Sequence, residues 1–126
     1  MPLGEWGANK LLDHLFKNTA MSQLTDIYIG LLTNTSPITE VAAADYDRVV
    51  ANGWTNAASA ALSNDVEVSF AEAVASWGTV TGMAIYDAVS GGNLWAWGTL
   101  ITPKLVPAGS VAKFPIGEID WNMPIT

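Results

Sequence analysis

Acid–base chemistry at neutral pH usually falls to histidine, and this chain of 126 residues has one, His14. It sits in "ANKLLDHLFKN", on the polar side of a stretch with helical period, where a solvated helix histidine is the plain reading. A Ser-His-Asp arrangement would have to use it, and no serine stands in a G-x-S-x-G setting to receive its help. Three carboxylate pairs fall at i, i+2: Asp45 with Asp47, Asp65 with Glu67, and Glu118 with Asp120. On strands each pair would share a face, as a calcium site or a glycoside-cleaving pair requires. None has the cluster of oxygen donors around a spaced glycine that a calcium loop uses, so solvated loop ends and strand rims are expected. "SGGN" is too short and isolated to cradle phosphate. With no cysteine, thiolate ligands, disulfides and a thiol nucleophile are all excluded. The expectation is a protein that is not an enzyme, with no catalytic residue, no metal and no cofactor.

The unusual residue is tryptophan, with six copies at Trp6, Trp54, Trp77, Trp95, Trp97 and Trp121. An indole joins a large apolar body to one N–H donor, which suits a boundary between dry and wet surroundings. Trp77, just before a glycine and a strand, reads as core. Trp6, in a glycine-rich terminus, reads as core or interface anchor. In "GGNLWAWGTL", Trp95 and Trp97 stand one residue apart, so a regular strand would aim both at the same face. Leu94, Ala96, Gly98 and Leu100 would take the other. Both faces being apolar, the strand is expected to be central, with the rings in the core, under the helix, or against another subunit. Rings in line could also stack on sugars. The residues expected at a protein interface are Trp6, Leu12, Phe16, Trp54, Trp95 and Trp97.

Those residues need elements to hold them. Leu11, Leu12, Leu15 and Phe16 gather on one side of a helix of about three turns, opposite Lys10, Asp13, His14 and Lys17, and Asn18 can end it. Beyond it, short apolar runs are separated by Gly, Pro, Asn and Ser, the texture of an all-β domain. "DIYIGLLT" (26–33) is apolar on both faces, "YDRVV" (46–50) is a short edge piece, and a weak strand is expected around 57–62. "VEVSF" (66–70) alternates Val66, Val68 and Phe70 against Glu67 and Ser69. "GTVTGMAIYD" (78–87) and "NLWAWGTLIT" (93–102) flank "AVSGGN" as a hairpin. "PKLVPAGS" (103–110) suits an edge or crossover, and 111–123 reads as one closing strand. The fold class expected is mainly β: a jelly-roll-like antiparallel β-sandwich with one N-terminal α-helix. The length bounds it to a single domain over 1–126, with an arm and helix in 1–20 and the sandwich in 26–123.

Half of the chain is hydrophobic and only 13% is charged, few charges for a surface solvated on its own. A partner covering part of it is the simplest remedy. The net charge of −7, with five scattered basic residues, makes nucleic acid an unsuitable ligand. Neither a secretory signal pattern nor a run approaching the roughly 20 apolar residues of a membrane span is present.

In its order of motifs the chain resembles a family of small structural proteins of tailed bacteriophages, often loosely labelled tail fibre. "NKLLDHLFKNTA", "IYIGLLT", the Tyr46-x-Arg48 step and above all "VSFAEAVASWGTVTGMAIYDAVSGGNLWAWGTLITPKLVPAGSVAKFPIGEID" carry the likeness. The resemblance implies a capsid cement or decoration protein of jelly-roll fold on the outer surface of the shell, assembled in the host cytoplasm. Its partners would be the major capsid protein and copies of itself, as dimer or trimer, with no nucleic acid and no membrane. The alternative is a tail fibre or baseplate adhesion module that binds host-surface glycans, Trp95 and Trp97 stacking on the sugars.

Overall fold

The computed structural model of the chain describes residues 3–21 and 24–122. Residues 1 and 2 of the expected arm, and Met123 at the expected end of the sandwich, lie outside them. One helix, α1 (Glu5–Phe16), precedes nine strands: β1 (Tyr28–Thr35), β2 (Ile38–Glu40), β3 (Val49–Val50), β4 (Ala61–Ser63), β5 (Val68–Ser69), β6 (Gly78–Tyr86), β7 (Leu94–Val106), β8 (Lys113–Phe114) and β9 (Asp120–Asn122). All pairings among them are antiparallel. The class is therefore mainly β with one helix, and the arrangement is compatible with a jelly-roll-like sandwich.

The main sheet runs β2-β1-β6-β7, with β3 also paired to β1. One face of it carries Ile29, Leu31, Met83, Ile85 and Ala96 into a core completed by Val68, Phe70, Trp77 and Ile119. Two ribbons, β4-β9 and β5-β8, bring Phe114 and Trp121 over that core from the far side. The opposite face holds a smaller cluster of Leu32, Ala84 and Tyr86, flanked by Tyr28, Ile38, Leu94 and Trp97. β1 is thus buried on both faces, as its apolar run requires.

Several local expectations give way to pairing. Only Val49–Val50 of the 46–50 run pairs as a strand, because Tyr46 and Arg48 turn to side-chain partners instead. Val66 is exposed although it alternates with buried Val68 and Phe70, since β5 begins only at Val68. The closing strand expected over 111–123 is two, β8 and β9, broken by a turn in which Gly117 has φ +83° and beside which Ile116 is left exposed. β7 runs on through Pro103 to Val106 and lies at the end of the sheet path, so it is an edge strand and not the central one expected.

Candidate functional site

The paired tryptophans do not share a face. Ile85 pairs with Ala96, but Tyr86 pairs with Leu94, so Trp95 has no partner on β6 and forms a β-bulge. The extra residue resets the alternation. Trp95 joins the main core with Ala96, whereas Trp97 packs with Leu94 in the cluster on the other face. Both rings are half-buried, and no aligned aromatic platform exists. A second irregularity follows: Gly82 pairs with Thr99 and Val80 with Lys104, so Leu100 to Pro103 bulge out opposite Thr81. At the crest of that bulge Ile101 is fully exposed, at 105%.

α1 grows from the edge of β7. Leu3 bridges to Ala96, and the Gly4 N–H donates to the Trp95 carbonyl at 2.7 Å before the first helical turn begins. Gly7 is buried against Trp95: a Cβ there would stand 2.8 Å from the Trp95 carbonyl oxygen and 2.9 Å from its ring. Trp6 meets Trp95 edge-to-face with ring centroids 4.9 Å apart, and Lys10 lies over Trp6. The helix ends where Asn18 takes φ +53° and Lys17 and Thr19 both donate to the Asp13 carbonyl.

Only the N-terminal half of α1 is packed down. Leu12, Leu15 and Phe16 are 53%, 64% and 80% exposed, and Trp6 36%. The expected apolar stripe is real, but the sheet does not cover it. Beside it runs a groove of about 310 Å³ between α1 and the 57–62 segment, lined by Leu3, Gly7, Leu11, Ala57, Leu62 and Trp121 among others. Trp54 lies apart from this face. It is half-buried on the core, donates its indole N–H to the Ala51 carbonyl at 2.7 Å, and walls a second apolar pocket with Ile27 and Trp121.

A further apolar rim lies at the other end of β7, where Ile101, Leu105, Val111 and Ile116 are exposed beside clefts that share Phe114 and Lys104. The sequence pattern gives no sign of it, because Ile101 and Ile116 fall within the runs 93–102 and 111–123 that read as regular strands. Two departures from alternation, the bulge and the turn at Gly117, put them outside.

The residues that could do chemistry are spent on structure or dispersed. His14 is exposed, its Nδ1 3.2 Å from the Thr19 carbonyl oxygen. No carboxylate pair lies along one strand. Asp45 accepts from the Val74 N–H at 2.6 Å and from the Trp77 indole, and the Val74 bond leads in holding its carboxyl below the usual range. Burial alone would raise the Asp87 carboxyl, but the Asn93 backbone and side-chain N–H groups, donating at 2.7 and 2.9 Å, outweigh it and lower its pKa. The Trp95 Nε1 is buried and has no hydrogen-bond partner among the described residues. Glu118 and Asp120 line the rim cleft with Lys104. Among the described residues no three His, Cys, Asp or Glu gather closely enough to hold a metal ion, and no helix is long and apolar enough to cross a membrane.

A partly buried polar network joins β2 to the loop between β6 and β7. Arg48, its side chain 9% exposed, forms a two-point ion pair with Glu40 at 2.9 Å, and its guanidinium lies 3.4 Å from the centre of the Tyr86 ring. It also donates to the Ala88 and Gly91 carbonyls, and Tyr46 donates to Glu40 while accepting from the Leu31 N–H. Burial, then the Glu40 bond, push the Tyr46 hydroxyl upward, so it stays protonated. The network pins the β6–β7 hairpin loop to β2, and a polar pocket of about 280 Å³ opens beside it, walled by Glu40, Tyr46, Asp47, Arg48 and Ser90.

A mainly β fold with exposed apolar side chains at the two ends of β7 agrees with what the sequence matches. The family model described as Podophage GP4 fiber I protein gp80 matches residues 2–122. The chain belongs to this family. A search of curated proteins finds no match. Membership in the gp80 fibre I family makes this a bacteriophage structural protein, a part of the virion.

Proposed function

We propose that the chain is a non-enzymatic subunit of the virion exterior, built by protein contact into the fibre apparatus that its family's description names. One observation carries the reading: two apolar faces stand open at the two ends of β7, the α1 stripe beyond Trp95 and the rim of Ile101, Leu105, Val111 and Ile116. A subunit that joins two different neighbours needs two such faces. The chain exposes 7678 Å², against roughly 6,500 Å² for a compact monomer of its mass. That excess, with few charges to solvate it, supports burial against neighbours.

A second reading is capsid cement on the outside of the major capsid shell, favoured by the compact two-layered core and by the acidic surface of net charge −7. A glycan platform of Trp95 and Trp97 is not favoured, because the bulge turns their rings to opposite faces.

Counting copies per virion against the major capsid protein, with cryo-EM localisation, separates the two. A handful of copies at the tail is the result expected; hundreds of copies in icosahedral array would replace it with the cement reading. Absence from purified virions would overturn both. Ile101→Asp with Leu105→Asp should abolish incorporation while leaving stability within about 0.5 kcal/mol, since both side chains are already in water.

A further inference from the structure

We infer that residues 123–126, Met-Pro-Ile-Thr, which lie outside the described residues, run on from β9 into the apolar groove beside α1 of the same copy, where Met123 and Ile125 cover Trp121, Trp95 and Leu11. This seat belongs to the subunit itself and holds wherever in the virion the subunit sits. The groove needs a cover. Two pockets, each of about 310 Å³, share Leu62, Trp95 and Trp121; Leu11 and Ala57 help to wall one, Ile27 and Trp54 the other. Every residue lining them is apolar or glycine. Water filling either, roughly ten molecules at about 30 Å³ each, would find few polar partners on such walls.

The segment starts in the right place. Asn122 pairs with Ala61 and Trp121 with Leu62, so the chain leaves β9 beside a residue that is itself a wall of the groove. Past that point β4 offers no further strand to pair with: Ser59 and Ala60 take φ +52° and +59°, and Ala58 and Ala61 exchange backbone hydrogen bonds across a tight turn. Four residues reach about 13 Å when extended, more than the roughly 10 Å between packed layers. The residue pattern also fits. In β9, Asp120 and Asn122 are exposed while Trp121 turns to the groove. Carried on, that alternation puts Met123 and Ile125 on the Trp121 side, with Pro124 and Thr126 on the wet side. Pro124 fixes its own φ and holds Met123 extended, so little freedom is lost on seating. None of the four side chains brings a charge to a groove that has no partner for one.

The cysteine-free background permits a direct test on the full chain. Ile125→Cys combined with Leu11→Cys, or with Ala57→Cys, should close a disulfide within one copy under mild oxidation, read as lost free thiol at 13.3 kDa on a non-reducing gel. Ile125→Cys combined with Ile101→Cys, at the other end of β7, should stay reduced. Closure of neither groove pair, closure of the Ile101 pair as readily, or bridging only at twice the mass would overturn the seat. A second readout forms no new bond. Met123→Asp with Ile125→Asp should bind the dye ANS several-fold more than the parent and shift tryptophan emission to the red, with an unchanged circular dichroism spectrum. Dye binding and emission equal to the parent's would show that these residues cover nothing, and would overturn the seat as well.

Discussion

Asn64 and Arg48 do at single positions what the short strands cannot. Asn64 is 1% exposed and fully bonded: its Nδ2 donates to the Val66 and Pro115 carbonyls, and its Oδ1 accepts from the Ile119 N–H at 2.9 Å. Asn64→Leu leaves those three backbone groups without partners in a dry site and should cost about 3 kcal/mol in urea denaturation. Arg48→Met strands Glu40 and two carbonyls, and a loss of about 3 kcal/mol is expected by the same measurement. Acid sensitivity belongs to Asp45 and Asp87. Both folded pKa values lie below the ordinary 3.8, so the unfolded chain takes up protons first as pH falls. Their contribution is complete above about pH 5 and disappears as pH drops through and below 3.8. In Asp45→Asn with Asp87→Asn, the fall in thermal midpoint between pH 6 and pH 3 should be smaller than in the parent; an equal fall would show that other groups set it.

At the scale of elements, β7 decides most of what faces outward. Its first bulge turns Trp95 inward to receive α1, and its second lifts Ile101 clear of the sheet. α1 is held chiefly by the Leu3 bridge, the Gly4 bond and the close approach of Gly7, so its docking depends on the absence of one side chain. Gly7→Val would press a branched side chain onto the Trp95 carbonyl and ring. A loss of about 2 kcal/mol is expected, with a red shift of tryptophan emission as the helix lifts from Trp95. The turn chemistry of "AVSGGN" was legible, since Gly91 and Gly92 both adopt the positive φ that a tight hairpin loop needs. So were β1, β6 and the end of α1 at Asn18, each set by its own local run of residues. The short strands were not, because two or three residues carry too little periodicity to mark a strand.

At the scale of the whole molecule, most of the exposed large apolar side chains gather at the two ends of β7, while Val50, Val66, Val74 and Val89 stand elsewhere; gathered faces of this kind suit a repeating assembly. The interface candidates divide accordingly. Leu12 and Phe16 are exposed along one side of α1 and Trp6 is exposed apart from them against Trp95, whereas Trp54, Trp95 and Trp97 are half-buried on the two clusters. If the two faces serve different neighbours, changes at one should spare the other. Virions carrying Ile101→Asp with Leu105→Asp should lack the subunit, while the same purified variant keeps the mass of the parent in sedimentation.

The sequence by itself determined the mainly β class, the single helix and its stop, the hairpin, and the absence of any cysteine chemistry, because each depends on residue type or on a period of neighbours. Tertiary structure alone decided which side of β7 each tryptophan takes. A strand's faces are set by register against its partner, and one unpaired residue at Trp95 reverses an alternation that looks regular in the sequence. It also decided that Leu12, Leu15 and Phe16 of α1 stay bare and that Asn64 is buried. Asn64 finds Pro115 and Ile119 at separations of 51 and 55 residues, and no local pattern records partners so distant.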